Sequence, residues 1–201
     1  MSHHHNPHSF ESALQELKDG NARFLAGRSK HPHQDLLLRD RLDREGQTPL
    51  AAVLACSDSR APVELIFDQG FGDLFIVRAA GQVAGPDQIG SLEYAVEHLE
   101  VPLILVLGHT HCGAVTAAVN GAREEGALGE LLARLDPVVK MVEHLPLEER
   151  AEAAVEKNVS FILQELTAKS RTLARAEGEK RVRLAGAVDM LQSGEVKFLD
   201  F

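Results

Sequence analysis

Ala55-Cys56-Ser57-Asp58-Ser59-Arg60 and Gly108-His109-Thr110-His111-Cys112-Gly113 are the two stretches around which this chain is organised. Each follows a short apolar run, 50–54 for the first and 103–107 for the second. Apolar runs of this length that end abruptly in polar residues and glycine are typical of buried parallel strands. Ligand sites in open α/β sheets lie beyond the carboxyl ends of such strands. The chain has only two cysteines, and one follows each run, which predicts a shared site at two strand ends.

The composition excludes several classes of protein. With 44% apolar and 25% charged residues, the 201-residue chain has the make-up of a soluble globular protein. A net charge of -9 argues against a nucleic-acid partner, since phosphate binding needs a basic face. No apolar stretch approaches the roughly 20 residues needed to cross a bilayer. The first residues contain no apolar segment typical of a secretory signal, so we expect a cytoplasmic protein.

Strands and helices alternate along the predicted chain. The His-rich residues 1–8 are expected to form a disordered or tag-like tail, and 9–201 to form a single domain. Strands are predicted at 50–54, 74–78, 103–107, 182–188 and 195–199. Helices are predicted at 9–26, 34–44, 61–67, 87–99, 113–119, 131–144 and 147–176. This alternation favours an α/β fold with a mainly parallel central sheet flanked by helices. The two N-terminal helices are expected to lie across a neighbouring subunit or along the flank of the domain.

Cys56, His109 and Cys112 are the candidate metal ligands. Two thiolates and a neutral imidazole are a ligand set that suits zinc. Three protein ligands leave a fourth position free, as at a catalytic zinc, where the pKa of a water falls from 15.7 to roughly 7. Because two thiolates neutralise the charge of the ion, we expect the pKa of the bound water, and with it the midpoint of the pH–rate profile, to be more alkaline than at an all-imidazole site.

Asp58 and Arg60 are the candidate catalytic pair. A guanidinium can bind a carboxylate through two hydrogen bonds, which keeps the carboxylate ionised and fixed in orientation. Asp58 could then accept a hydrogen bond from a zinc-bound hydroxide or, once released by Arg60, take the fourth position on the metal and close the site. The backbone amide of Gly113, where a helix is predicted to begin, is a candidate donor to an anionic product.

Other interpretations of the same residues stay open at this point. Two cysteines near a sheet can be inert core residues, and Asp58 with Arg60 can be an ordinary ion pair. A redox pair of cysteines is also conceivable, although no C-x-x-C motif occurs. His111 could be a fourth ligand, but two residues from His109 it is expected to point away. The joint occurrence at matching strand ends favours a metal.

Cys56-Ser57-Asp58-Ser59-Arg60 followed by His109-x-x-Cys112-Gly113 resembles the β-class carbonic anhydrases, and the similarity extends over about residues 9–201. The resemblance implies one zinc ion per subunit and reversible hydration of carbon dioxide to bicarbonate and a proton. It implies that Cys56, His109 and Cys112 hold the zinc, and that Asp58 and Arg60 form the catalytic dyad. The alternatives are hydrolysis of carbonyl sulfide or carbon disulfide on the same fold, and a catalytically silent zinc protein.

The plant-like branch of that family implies further roles. Gln47 matches a glutamine that lines the substrate pocket from the partner subunit, and Phe75 and Tyr94 match aromatic residues of the pocket. The family also implies a homo-oligomer, either a dimer or a dimer of dimers, with N-terminal helices embracing the neighbour. This chain has Ala79 where the family commonly has asparagine, and it has no tryptophan. We therefore predict an open resting site and no inhibitory bicarbonate site.

Overall fold

The computed structural model describes residues 6–200 and contains one five-stranded sheet in the order β2-β1-β3-β4-β5. Its strands are Ala51–Ala55 (β1), Leu74–Arg78 (β2), Leu103–His109 (β3), Arg183–Met190 (β4) and Glu195–Phe198 (β5). The first four strands are parallel, and β5 runs antiparallel beside β4. The predicted α/β fold with a mainly parallel sheet is confirmed.

Helices cover both faces of this sheet. They are Phe10–Leu25 (α1), Leu36–Glu45 (α2), Val63–Ile66 (α3), Pro86–His98 (α4), Gly113–Val119 (α5), Gly126–Ala133 (α6), Asp136–Val142 (α7), Leu147–Lys169 (α8) and Arg171–Gly178 (α9), with a 3-10 turn at Ala80–Gln82. Within the described chain, every helix is too short or too polar to span a bilayer.

The core consists of two apolar layers separated by the sheet. Every residue of β1 and β3 is buried, as expected for central strands covered on both faces. Along β1, Ala52 and Leu54 pack into one layer, while Ala51, Val53 and Ala55 pack into the other. This alternation follows from the two-residue repeat of a strand. The central strands are therefore packed on both faces up to the points where the two loops begin.

Strand β3 is longer than its apolar run indicates, because it continues through Gly108 and His109. Gly108 pairs with Val188 of β4. A Cβ atom on Gly108 would lie 2.8 Å from Val159 Cγ2 of α8, so only glycine lets the strand continue beneath that helix. His109 is thus the last residue of a central strand instead of part of a loop.

Two helical predictions are wrong in their boundaries. The segment predicted as one helix over 131–144, after a connection of small residues, is divided into α6 and α7. The segment predicted over 147–176 breaks at Ser170. Ser170 takes an extended backbone conformation and its Oγ accepts a hydrogen bond from the Leu173 amide at 3.0 Å, which caps α9.

The N-terminal region packs onto the sheet through α1 but not through α2. Helix α1 begins with a capping box at Ser9 and buries Ala13 and Leu17. Asn6 is also buried, and its side chain donates to the Pro49 carbonyl at 2.9 Å. By contrast, α2 buries none of its own residues within the described chain, and its Leu37 is 82% exposed. The remainder of the predicted His-rich tail, 1–5, lies outside the described residues.

Candidate metal centre

Cys56, His109 and Cys112 meet at the carboxyl ends of the two central strands. Ala55 pairs with Leu107 in the parallel register of β1 and β3, so the residues that follow each strand emerge side by side. All three side chains are buried, and one ligand atom of each lies within 4.8 Å of the others. The two sulfurs are 4.0 Å apart.

His109 presents an unpaired nitrogen to this cluster. Its Nδ1 lies 2.9 Å from the Thr110 carbonyl oxygen, which can only accept, so Nδ1 carries the proton and donates it. Nε2 is left with a free lone pair. That atom is buried and has no hydrogen-bond partner among residues 6–200. A histidine that ligates a metal typically donates its other nitrogen in this way, which fixes both the tautomer and the orientation of the ring.

The two thiols are in hydrogen-bond contact with each other. The hydrogen bond from Cys112 lowers the pKa of Cys56, and the same contact raises the pKa of Cys112. The backbone amide of Gly81 donates to Cys56 Sγ at 3.2 Å. One of the two sulfurs is therefore prepared to be a thiolate, the form that binds a metal.

Asp58 and Arg60 form a two-pronged ion pair beside the ligands. Arg60 Nε donates to Asp58 Oδ1 at 3.0 Å, and Arg60 Nη2 donates to Asp58 Oδ2 at 2.7 Å. The hydrogen bonds from the Arg60 side chain hold the pKa of Asp58 well below its usual range. Asp58 Oδ2 lies 3.8 Å from His109 Nε2, so an ionised carboxylate borders the ligand cluster.

Arg78, the last residue of β2, holds the loop that carries Cys56 and Asp58. Its Nε donates to the Cys56 carbonyl at 2.7 Å. Its Nη2 donates to the Asp58 carbonyl at 2.6 Å and to the Ala61 carbonyl at 3.3 Å. A single planar guanidinium therefore fixes three peptides of the loop.

Asp189 stands next to His109 across the β3–β4 pair. It is 2% exposed, and this burial raises the pKa of its carboxyl group to about 6. The backbone carbonyl of Asp189 accepts a hydrogen bond from the Thr110 amide at 3.0 Å. Thr110, whose carbonyl group accepts the proton of His109 Nδ1, is thereby tied to the neighbouring strand through its amide.

The sequence-predicted substrate residues fall into two groups. Gly113 begins α5 directly after Cys112. Gln47 instead precedes β1, whose five residues span about 16 Å at the usual strand rise, so it lies toward the opposite end of the strand from Cys56. Phe75 pairs with Ala52 near that same end, and its ring is 6.2 Å from the ring of Tyr94. These three residues are not brought to the ligand cluster of their own chain.

His111 is not part of the ligand group. Its backbone has a φ of 55° and its side chain is 74% exposed, beside Glu152 of α8. The Glu152 carboxylate accepts a hydrogen bond from the His111 amide at 3.2 Å, and Arg60 Nη2 donates to the His111 carbonyl at 3.2 Å. The loop therefore turns His111 outward while holding its backbone.

The sequence motifs predict no role for Arg78, Asn158 or Asp189. Arg78 and Asp189 lie on strands beside the two motif-bearing strands, and their position near the same sheet edge is a signal that could have found them. Asn158 is a fully buried polar residue of α8. The signal that could have found it is a polar residue inside an apolar helical stripe.

The donor set fits zinc. Two sulfurs and one imidazole nitrogen are ligands that Zn²⁺ prefers, and the buried lone pair of His109 Nε2 lacks any partner in the described chain. A fourth position is left to a small molecule, because the described cluster offers three ligand residues.

Comparisons with known proteins agree with this interpretation. A family model described as carbonic anhydrase matches residues 51–196. Carbonic anhydrase 2 of Mycobacterium tuberculosis is 38% identical over 193 residues, covering 94% of this chain and 92% of the relative. The solved structure of the β-carbonic anhydrase CafA of Aspergillus fumigatus is similar with a TM-score of 0.74 at 30% identity, covering 95% of this chain and 90% of that one. A tetrameric β-carbonic anhydrase of Sordaria macrospora gives a TM-score of 0.73 at 26% identity, covering 96% and 97%.

Proposed function

The chain belongs to the β-carbonic anhydrase family, whose zinc-dependent reaction is the reversible hydration of carbon dioxide to bicarbonate and a proton, and we propose how its own residues perform that reaction. Cys56, His109 and Cys112 hold the zinc ion. The observation that carries this assignment is the mutual approach of their ligand atoms to within 4.8 Å, with an unpaired imidazole nitrogen among them. Zinc held there supplies a Lewis acid that makes a water acidic enough to be the nucleophile near neutral pH.

Asp58 orients the nucleophile. Because Arg60 binds both of its oxygens, Asp58 stays ionised and can only accept hydrogen bonds. A carboxylate oxygen fixed 3.8 Å from His109 Nε2 can accept a hydrogen bond from the nucleophile and turn an oxygen lone pair toward carbon dioxide. The Gly113 amide, on the first residue of α5, donates to the bicarbonate that forms.

The resting site is proposed to be open. Arg60 occupies both oxygens of Asp58 in the structure, and breaking these bonds is a condition for Asp58 to reach the metal. The absence of tryptophan from the sequence supports the same proposal, since the inhibitory bicarbonate site of the closed branch uses that residue.

The active enzyme is proposed to be a homo-oligomer, a dimer or a dimer of dimers, in which a partner completes the pocket. Helix α2 leaves Leu36 and Leu37 exposed at 74% and 82%, as expected of a helix that packs on another subunit. Gln47, Phe75 and Tyr94 lie away from the ligands of their own chain, which supports a role at the site of a neighbour. The solved relative from Sordaria macrospora is itself tetrameric.

A cytoplasmic location is proposed from the chemistry of the ligands. Cys56 and Cys112 must stay reduced to bind zinc, and the cytoplasm keeps thiols reduced.

Stopped-flow hydration of carbon dioxide by the zinc-loaded protein at about pH 8.5, followed with a pH indicator, tests the proposed function. Turnover at catalytic rates, above about 10³ s⁻¹, is expected. Hydrolysis of carbonyl sulfide or carbon disulfide without carbon dioxide hydration would instead assign the site to that other substrate class. A chain that binds zinc and turns over none of these molecules would be a silent zinc protein.

A further inference from the structure

A buried amide lies behind the metal centre, on a helix that is otherwise apolar where it faces the sheet. Asn158 of α8 is 0% exposed and packs in the stripe formed by Val155, Val159 and Ile162. Its Oδ1 has no hydrogen-bond partner among residues 6–200. Burying an unpaired oxygen destabilises a fold, and an apolar side chain of similar size would avoid that cost. A reason for the amide at this position must therefore come from its nitrogen, Nδ2.

The amide nitrogen of Asn158 holds Gly81, a residue that contacts a metal-ligating sulfur. Asn158 Nδ2 donates to the Gly81 carbonyl oxygen at 2.8 Å. The amide of the same residue, Gly81, donates to Cys56 Sγ at 3.2 Å. Asn158 is thus linked to a metal-ligating sulfur through a single residue.

The turn that contains Gly81 needs such a restraint. Gly81 has a φ of 67°, and the following Gln82 has a φ of 42°, which is unusual for a residue with a side chain. Backbone in this region persists only where its surroundings enforce it. On one side the turn is limited by α5 and by the residue before α7, since a Cβ on Gly81 would lie 3.3 Å from Ala114 Cβ and 3.4 Å from Leu135 Cδ1. On the other side Asn158 holds its carbonyl.

We propose that Asn158 is a positioning residue of the metal centre: it holds the carbonyl group of Gly81 and thereby fixes this residue so that the Gly81 N–H, in the preceding peptide, points at Cys56 Sγ. This inference rests on the zinc site proposed above. A hydrogen bond donated to a thiolate stabilises the negative charge on sulfur and fixes the direction of its lone pairs. Partners of this kind, one step beyond the ligands, typically change metal affinity by about 10- to 100-fold when they are removed.

The spectrum of the cobalt-substituted protein and the affinity of the protein for zinc should therefore both depend on Asn158. Without its hydrogen bond the Gly81 N–H is no longer aimed at the sulfur, so the sulfur lone pairs rise in energy. In the cobalt-substituted protein the thiolate-to-cobalt charge-transfer band should move to longer wavelength. The affinity for zinc should fall by about 10-fold.

The test compares cobalt spectra and zinc affinities of the wild type and two Asn158 variants. Asn158→Leu has the same branched arrangement of side-chain heavy atoms with no polar atom, and Asn158→Ala removes the side-chain amide altogether. Ile162→Val is the matched control, because it trims a buried side chain one turn along the same helix without removing a hydrogen bond. Zinc affinity is measured by competition with a coloured chelator, and thermal unfolding is recorded for all proteins.

A shifted band and about 10-fold weaker zinc binding in both Asn158 variants, with the wild-type band in Ile162→Val, would support the inference. Variants that unfold earlier but keep the wild-type band and affinity would assign Asn158 to the fold alone and overturn it. If both Asn158 variants fail to fold while Ile162→Val folds, Asn158 is likewise assigned to the fold alone and the inference is overturned. A wild-type protein without a thiolate-to-cobalt band would refute the metal site itself, which is a distinguishable result.

Discussion

Replacement of Arg78 by methionine should loosen the loop that carries Cys56 and Asp58. Methionine keeps most of the aliphatic stem but removes every donor, so the Cys56 and Asp58 carbonyls lose hydrogen bonds of 2.7 and 2.6 Å. A hydrogen bond from a charged donor contributes about 1.5–3 kcal/mol. Because Arg78 is only half-buried and water can replace part of the loss, we expect about 3 kcal/mol for both bonds together. For a chain of this size that lowers the Tm by about 6–12 °C.

Thermal unfolding of the zinc-loaded protein measures this loss, and stopped-flow carbon dioxide hydration measures its effect on the site. Since the loop also positions Asp58, kcat/KM should fall by about 10-fold. Arg175→Met is the matched control, because Arg175 is exposed and its one ion pair, with Glu97 at 3.3 Å, contributes at most about 1 kcal/mol. Equal unfolding temperatures for the two variants would refute the role given to Arg78.

Three further predictions address the dyad, the ligands and Asp68, which binds the N-terminal segment at Arg23 and at the backbone of residues 30–31. Asp58→Asn should lower kcat/KM by about 100-fold with one zinc still bound per chain, and an unchanged rate would contradict the orienting role. Cys112→Ser should lose zinc on dialysis against a chelator that the wild type withstands, as elemental analysis would record; full occupancy would speak against this ligand. Burial opposes ionisation of Asp68, but hydrogen bonds from the Lys30 amide, Arg23 and the His31 amide outweigh it and keep the pKa of Asp68 low. Its carboxylate therefore contributes stability above the unfolded pKa of about 4, and this contribution is lost as the pH falls toward the folded pKa. In urea unfolding of the metal-free protein, the free energy of unfolding of Asp68→Asn should fall less on acidification than that of the wild type or of the exposed Asp43→Asn. Equal losses would contradict this role of Asp68.

The sheet and its site could be predicted because their determinants are local in sequence. Short apolar runs specify the buried strands, and the abrupt change to polar residues specifies where each strand ends. In a parallel sheet those ends lie together, so Cys56 and His109 could be brought to one place without knowledge of the register. The predicted ends of β3 and β4 both fall two residues too early. For β3 the reason is that a glycine that ends an apolar run also allows close approach of a helix, as at Gly108.

Features that depend on packing between distant segments could not be predicted in the same way. Ser170 interrupts a helical apolar pattern that continues into α9 as Leu173, so periodicity alone gives no boundary there. The contacts of Arg78 depend on the register of β1 against β2, and those of Asn158 depend on how α8 crosses the turn at Gly81. The order of apolar and polar residues in the sequence identifies Arg78 and Asn158 only as polar residues in apolar surroundings.

Zinc bound by Cys56, His109 and Cys112 is proposed to give this chain its carbonic anhydrase activity. The most direct measurement is a titration of the metal-free protein with zinc, in which carbon dioxide hydration is followed by stopped flow after each addition. The rate should rise linearly and level off at one zinc per chain, and Cys112→Ser should show no such rise. A hydration rate that does not depend on zinc, or saturation of the site with zinc without any hydration, would contradict this role of the metal.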